Sequence, residues 1–318
     1  MRTRHPGVPR EAPHPARIHR IVTRGLALLL SAFVVGCASD SREVGVTYGE
    51  AASADGVPVR YEVRGTGEPA IVLIHGWTNS RGIWGRHPET LARSHRVVAL
   101  DLAGHGISGV DRKDWTVRAF GQDVVAVADQ LGLDRIVLVG FSMGGPVIIE
   151  AAGQLADRVV GLIFVDTVQD PDAPPVGKEG VEQMATALSA TWNDPAFIRA
   201  FAFTPGAPDS LIDYVISVQP EELHERFIAA AVGVDDWMGT EMRPTLARLD
   251  VPMAAINTTN QPTNLEALRR YDPGFALDTM EGLGHAGILL QRVDDFDARL
   301  LAIVHRFEAG ENSSEGGD

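Results

Sequence analysis

Arg135-Ile136-Val137-Leu138-Val139-Gly140-Phe141-Ser142-Met143-Gly144-Gly145-Pro146 is the stretch on which the fold turns. Its first part is a run of β-branched residues and leucine with no polar alternation, the pattern of a strand buried on both faces. Gly140-Phe141-Ser142-Met143-Gly144 then fits Gly-x-Ser-x-Gly, a sharp turn that needs small residues around the serine because the backbone is strained and crowded. Pro146 stands where the first turn of a helix tolerates it. The five-residue pattern alone arises by chance, and an ordinary glycine loop with a solvated serine would also satisfy it. Strand, turn and helix in that order are specific, and they make Ser142 the expected nucleophile.

Working outward, apolar runs at 57–63, 70–74, 96–100, 160–165, 252–256 and 276–280 read as further strands, with helical spacing between them, clearest at 117–131. Short buried strands alternating with helices predict an α/β fold, a mostly parallel sheet with helices on both faces. The rhythm breaks between Asp166 and Asp250, where helical pieces rich in aromatics and proline replace the strands. A helical cap over about 167–250 is expected there, inserted into a domain spanning 55–308. Residues 37–54 read as a linker, and the polar, Gly/Ser-rich 309–318 as a disordered tail.

Acyl chemistry at Ser142 needs donors aimed at a developing oxyanion. The amide of Met143 is one candidate, at the positive end of the helix it begins. The amide of Trp77, in the loop His75-Gly76-Trp77 after strand 70–74, is the other, with Gly76 allowing close approach. His75 is expected to shape that loop. His285, preceded by Gly282 and Gly284 after strand 276–280, is the expected general base. His105 reads as structural. His87, His95, His224 and His305 show no partner pattern, and no spacing suggests a metal.

Taken in order, His75-Gly76-Trp77, Asp101-Leu102-Ala103-Gly104-His105-Gly106-Ile107-Ser108, Gly140-Phe141-Ser142-Met143-Gly144-Gly145 and Gly284-His285 resemble the landmarks of the α/β-hydrolase superfamily. The resemblance runs from about residue 55 to 308. It implies an α/β-hydrolase fold, a chain order of serine, acid and histidine, and a cap after the strand that follows the nucleophile. It also implies that a serine at the turn argues against dehalogenase and epoxide-hydrolase chemistry, which the family performs with an aspartate.

The acid departs from the family pattern. Where an aspartate is common, after strand 252–256, this chain carries Asn257-Thr258-Thr259-Asn260-Gln261-Pro262. Glu266 and Asp272 fall later, and Asp250 precedes the strand, at the wrong end of the sheet. Strand 160–165 ends in Asp166, however, and neighbouring strands lie about 4.8 Å apart, within reach of a histidine loop closing over Ser142. Some branches of the superfamily, some haloalkane dehalogenases among them, are similar in this placement. Asp166 is the expected acid, with Asp170 second; the other reading of Asp166 is a tie for the entry to the cap.

The first residues belong to a different kind of segment. Six arginines precede the apolar run Leu26-Ala27-Leu28-Leu29-Leu30-Ser31-Ala32-Phe33-Val34-Val35-Gly36, shorter than the roughly 20 residues that span a bilayer. A basic region, a short apolar core and small residues make a secretory signal. Cys37 is the only cysteine, which excludes an internal disulfide. Val34-Val35-Gly36-Cys37 resembles a bacterial lipoprotein lipobox, which implies lipidation of Cys37 and export to the cell envelope. Removing residues 1–36 deepens the net charge from −14 to about −19, a surface that repels nucleic acid and anionic lipid.

The expected function is hydrolysis of a small carboxylic ester, lactone or thioester through an acyl-enzyme on Ser142, with no cofactor. Peptidase, C–C hydrolase and acyltransferase chemistries share the same residues. The alternative is a ligand-binding or sensing lipoprotein of low turnover, which the missing acid after strand 252–256 motivates.

Overall fold

The computed structural model describes residues 45–189 and 191–310. The expected signal segment, Cys37 and residues 311–318 of the expected tail lie outside the described residues. Eight strands form one sheet: β1 (Val46–Ala52), β2 (Pro58–Arg64), β3 (Ala70–Ile74), β4 (Val97–Asp101), β5 (Ile136–Phe141), β6 (Val159–Val165), β7 (Met253–Thr258) and β8 (Ala276–Met280). Their spatial order is β1-β2-β4-β3-β5-β6-β7-β8. The first two pairings are antiparallel, and every pairing from β4 to β8 is parallel.

The helices follow as α1 (His87–Leu91), α2 (Val117–Gln130), α3 (Gly144–Leu155), α4 (Lys178–Ser189), α5 (Pro195–Ala202), α6 (Asp209–Ser217), α7 (Glu225–Thr240), α8 (Met242–Leu246), α9 (Leu265–Arg269), α10 (Gly287–Leu290) and α11 (Val293–Ala309). Because side chains alternate across a strand, each central strand feeds two cores. Val72, Val98, Leu138 and Phe164 face α2 and α3, whereas Ile71, Val97, Val137 and Ile163 face α11. This double burial explains why these strands lack polar alternation in the sequence.

Two boundaries differ from expectation. Residues 46–52, read as linker, form the edge strand β1, in register with β2 from Val46 opposite Arg64 to Ala52 opposite Pro58. An edge strand paired on one side keeps most of its side chains in water, so Val46, Thr47, Tyr48 and Glu50 carry no strong apolar signature. At the other end, α11 runs through Ala309 and stops at Gly310, whose φ of 68° suits the glycine that ends a helix.

Between β6 and β7 the described residues form α4 to α8 and no strand. Met242 and Leu246 of α8 return to the core under α3, so the cap proper is built from α4 to α7. Among the described residues no helix is long and apolar enough to cross a membrane.

Candidate active site

The carboxyl ends of β5, β6 and β8 converge on one cavity of about 780 Å³, lined by Trp77, Ser142, Met143, Asp166 and His285 together with residues of the cap. Ligands of open α/β sheets bind at this edge because the strand ends and the loops leaving them form a crevice there.

Ser142 occupies the tip of the turn between β5 and α3, with φ 53°. This left-handed backbone is costly for a residue with a side chain, by about 1–3 kcal/mol. Contacts on either side over-determine it: Ser142 N–H donates to Val165 O (3.1 Å) and Gly145 N–H to Ser142 O (2.9 Å). A side chain at Gly140 would place its Cβ 2.3 Å from Gly144 O, and one at Gly144 would come within 2.6 Å of Ile74 O. The glycines flanking the serine are therefore sterically required. Five non-glycine residues have positive φ among the described residues; Ser142, Asp166 and Val168 line the cavity and Thr78 follows Trp77. The fifth, Ala156, ends α3 away from the cavity lining, so four of the five strained positions lie at or beside the cavity, as at sites where geometry serves function.

The loop after β3 approaches the serine closely. A Cβ on Gly76 would stand 3.0 Å from Ser142 Cβ. His75 is fully buried behind it, its Nδ1 2.7 Å from Gly76 O and its Nε2 accepting from Leu102 N–H at 3.1 Å. That pattern assigns a neutral ring with the proton on Nδ1, and burial holds its pKa below the ordinary histidine value. His75 braces the loop, as expected, and does not face the cavity. The amides of Trp77 and Met143 have no acceptor among the described residues, and both residues border the cavity beside Ser142.

His285 lies in the loop between β8 and α10, stacked on Phe141 (centroids 4.7 Å apart) and covered by Phe201 of the cap (5.7 Å). Its Nδ1 donates to Asp166 Oδ2 at 2.7 Å. The other oxygen of Asp166 accepts from the Thr258 amide and hydroxyl, both at 2.9 Å. Burial works to raise the Asp166 pKa, but the hydrogen bond and charge of His285 and the two bonds from Thr258 outweigh it, holding the carboxyl below the usual carboxylate range. An ionised carboxylate therefore fixes the His285 ring with Nε2 as the nitrogen left for a proton from elsewhere.

Asp170, the second choice, accepts instead from Asp172 N–H (2.9 Å) and Asn264 Nδ2 (3.0 Å). Asp272 accepts from Met253 N–H at the start of β7, the opposite end of the sheet. The segment that lacks a carboxylate has other work. Thr258 supplies the donors for Asp166, and Asn260 Nδ2 donates to Leu283 O (3.0 Å), tying down the histidine loop. Sequence reasoning missed both roles, since hydroxyl and amide side chains carry no distinctive spacing.

The cap is bound to the core by polar ties. Trp77 Nε1 donates to Phe227 O (2.7 Å), Arg226 Nε to Gly104 O (2.9 Å) and Trp237 Nε1 to the buried Glu150 (3.1 Å). Asp235 accepts from the Val176 and Gly177 amides, each at 2.7 Å, pinning the strap that enters the cap. No lysine or arginine lines the cavity among the described residues, and its walls are mostly apolar. Elsewhere His87, which showed no partner in the sequence, is buried against Asp297 (2.6 Å) and Leu289 O (2.8 Å), outside the cavity lining.

Comparison with known proteins gives three kinds of likeness. Residues 69–225 match the family described as alpha/beta hydrolase fold. An uncharacterized protein of Mycobacterium tuberculosis is 36% identical over 272 residues, 78% of this chain and 77% of that one. The dihydrolipoyllysine-residue acetyltransferase component of the acetoin cleaving system of Cupriavidus necator is 34% identical over 122 residues, so the chain spans about a third (33%) of its length. Among solved structures, a thermophilic esterase from Thermogutta terrifontis superposes with a TM-score of 0.69 at 24% identity, covering 82% of this chain and 99% of the esterase.

Proposed function

Since the chain belongs to the α/β-hydrolase family, we propose that it is a serine hydrolase of small, uncharged carboxylic esters, lactones or thioesters, acting through an acyl-enzyme. The observation that carries this reading is the 2.7 Å bond from His285 Nδ1 to Asp166 at the rim of a cavity shared with Ser142. Ser142 Oγ attacks the carbonyl carbon while its proton passes to His285 Nε2, and Asp166 stabilises the imidazolium so formed. The developing oxyanion is held by the Trp77 and Met143 amides, assisted by the N-terminus of α3. The protonated His285 gives its proton to the leaving alcohol or thiol. A water activated by the same ring then releases the acid.

The cavity supports an apolar acyl or alcohol group. Its walls offer dispersion contact and no cation to pair with a carboxylate, so a charged substrate would lose its hydration without compensation. An inactive sensing protein would leave Asp166 turned away from His285, and the bond between them argues against that reading. Exported, lipid-anchored placement through Cys37 belongs to the same proposal and rests on the sequence of residues 1–37 alone.

The test is hydrolysis of a short-to-medium acyl p-nitrophenyl series, with Ser142→Ala, Asp166→Asn and Asp170→Asn beside the unaltered protein. Activity lost in the first two and kept in the third is the expected result. An unaltered protein that turns over none of the series and resists a fluorophosphonate label would sink the proposal.

A further inference from the structure

We propose that His95, His305 and Glu308 form a site for one divalent zinc-class metal ion, at the end of the sheet opposite the cavity. One nitrogen of each imidazole and one oxygen of the carboxylate all lie within 4.8 Å of one another. His95 is 210 residues from His305, so no sequence spacing announces the group.

The two sides of the site are built differently. His95 is 3% exposed and its backbone is fixed, with its own N–H donating to Leu91 O (3.1 Å) and Arg96 N–H to Gly67 O (2.7 Å). Ser94 Oγ stands 2.8 Å from Nδ1, which orients the ring and leaves Nε2 for a metal, as an outer partner does in metal-ligating histidines. His305 and Glu308 come from one face of α11, three residues apart. Both are exposed, and neither has an ion-pair partner among the described residues. Their side chains are free to close the remaining separation to the roughly 2.0–2.2 Å metal–ligand distances of zinc.

Charge and ligand chemistry select the same kind of ion. Glu308 sits in the last turn of a 17-residue helix and His305 directly before that turn, near the unsatisfied carbonyls that make the negative end of the helix dipole and favour a cation. Two imidazoles and one carboxylate suit zinc, cobalt or nickel, whereas magnesium and calcium prefer all-oxygen sets. Three protein ligands leave the fourth tetrahedral position to water. His95 precedes β4, at the amino end of the parallel strands, while Ser142, Asp166 and His285 follow the carboxyl ends of theirs. The ion would therefore clamp the end of α11 to the turn before β4 without touching the hydrolytic residues.

The experiment strips the full 318-residue protein with a chelator and titrates it with Zn²⁺ by calorimetry and with Co²⁺ by visible absorption. His305→Ala and Glu308→Gln are run in parallel; both positions are on the surface, so the fold is retained. The expected result is one more equivalent bound by the unaltered protein than by His305→Ala, with a rise in Tm on adding Zn²⁺. Glu308→Gln should weaken binding by at least the roughly 10- to 100-fold that losing an outer partner costs. Equal stoichiometry and affinity in all three proteins would overturn the proposal by placing the ion elsewhere, for example on the histidines of residues 1–36. Failure of the unaltered protein to bind either ion would overturn it directly.

Discussion

Trp77 Nε1 donates to the carbonyl of Phe227, 2.7 Å away and 150 residues later in the chain. The backbone amide of the same residue borders the cavity beside Ser142, so a tie to a cap helix and a proposed oxyanion donor belong to one residue. This bond links α7 directly to the loop His75-Gly76-Trp77. Trp77→Phe keeps an aromatic ring on the side of Trp192 while removing the N–H, together with part of the ring's packing area. We expect kcat to fall by about tenfold, the worth of one hydrogen bond near 1.4 kcal/mol, with KM little changed. Steady-state kinetics on one p-nitrophenyl ester decides it; an unchanged kcat would mean that the tie serves only the cap.

Asp166 and Thr258 should behave as a unit. Asp166→Asn leaves a neutral partner for His285 and is expected to cost about 10⁴ in kcat. Thr258→Val removes the hydroxyl donor to Asp166 while leaving the Thr258 amide bond of the backbone in place. Its expected cost is about tenfold, since one charge-assisted bond of roughly 1.5 kcal/mol is lost. The double variant should be no slower than Asp166→Asn alone. A full multiplication of the two losses would show that Thr258 acts on something other than the carboxylate.

The left-handed φ of Ser142 is strain stored at the turn. Ser142→Gly relieves it, because glycine adopts φ near 53° without a Cβ clash. The variant should lose all acyl transfer and gain about 1 kcal/mol of stability, or roughly 2–4 °C in Tm for a domain of this size. Differential scanning calorimetry of Ser142→Gly against Ser142→Ala separates strain relief from loss of the hydroxyl. A glycine variant no more stable than the alanine variant would refute stored strain.

Stability should also fall in mild acid. Burial depresses the pKa values of His75 and, more strongly, His105, and both rings are neutral in the folded chain. Below the ordinary histidine value of about 6.5 the unfolded chain takes up protons that the folded chain refuses, so stability declines by about 1.4 kcal/mol per pH unit for each such ring. Asp166 acts lower in the scale and in the opposite sense of charge. Its depressed pKa adds stability that is complete above the ordinary carboxylate value of 3.8 and is lost as pH falls through the lower folded value. Urea midpoints from pH 7.5 to 5 should slope downward, and His105→Leu should shed about one proton's share of that slope. A flat profile would mean that these histidines are protonated without cost.

The sheet and the settings of Ser142, at the tip of a strand–turn–helix, and of His285, in the loop after the last strand, were legible in the chain because each rests on local chemistry. A strand buried on both faces must be apolar throughout, a left-handed turn packed against its own helix must be flanked by glycine, and these demands fall within a dozen consecutive residues from Arg135 to Pro146. Asp166 was reachable by the same logic, since it directly follows an apolar strand. β1 was not, because an edge strand is held by its neighbour's hydrogen bonds and needs no apolar pattern of its own. Tertiary structure alone decided that Thr258 supports Asp166, that Trp77 is tied to Phe227, that His87 is buried against Asp297, and that His95 meets His305 and Glu308. Each of these brings polar groups together across 90 or more residues, and such approaches depend on distances that sequence spacing does not encode.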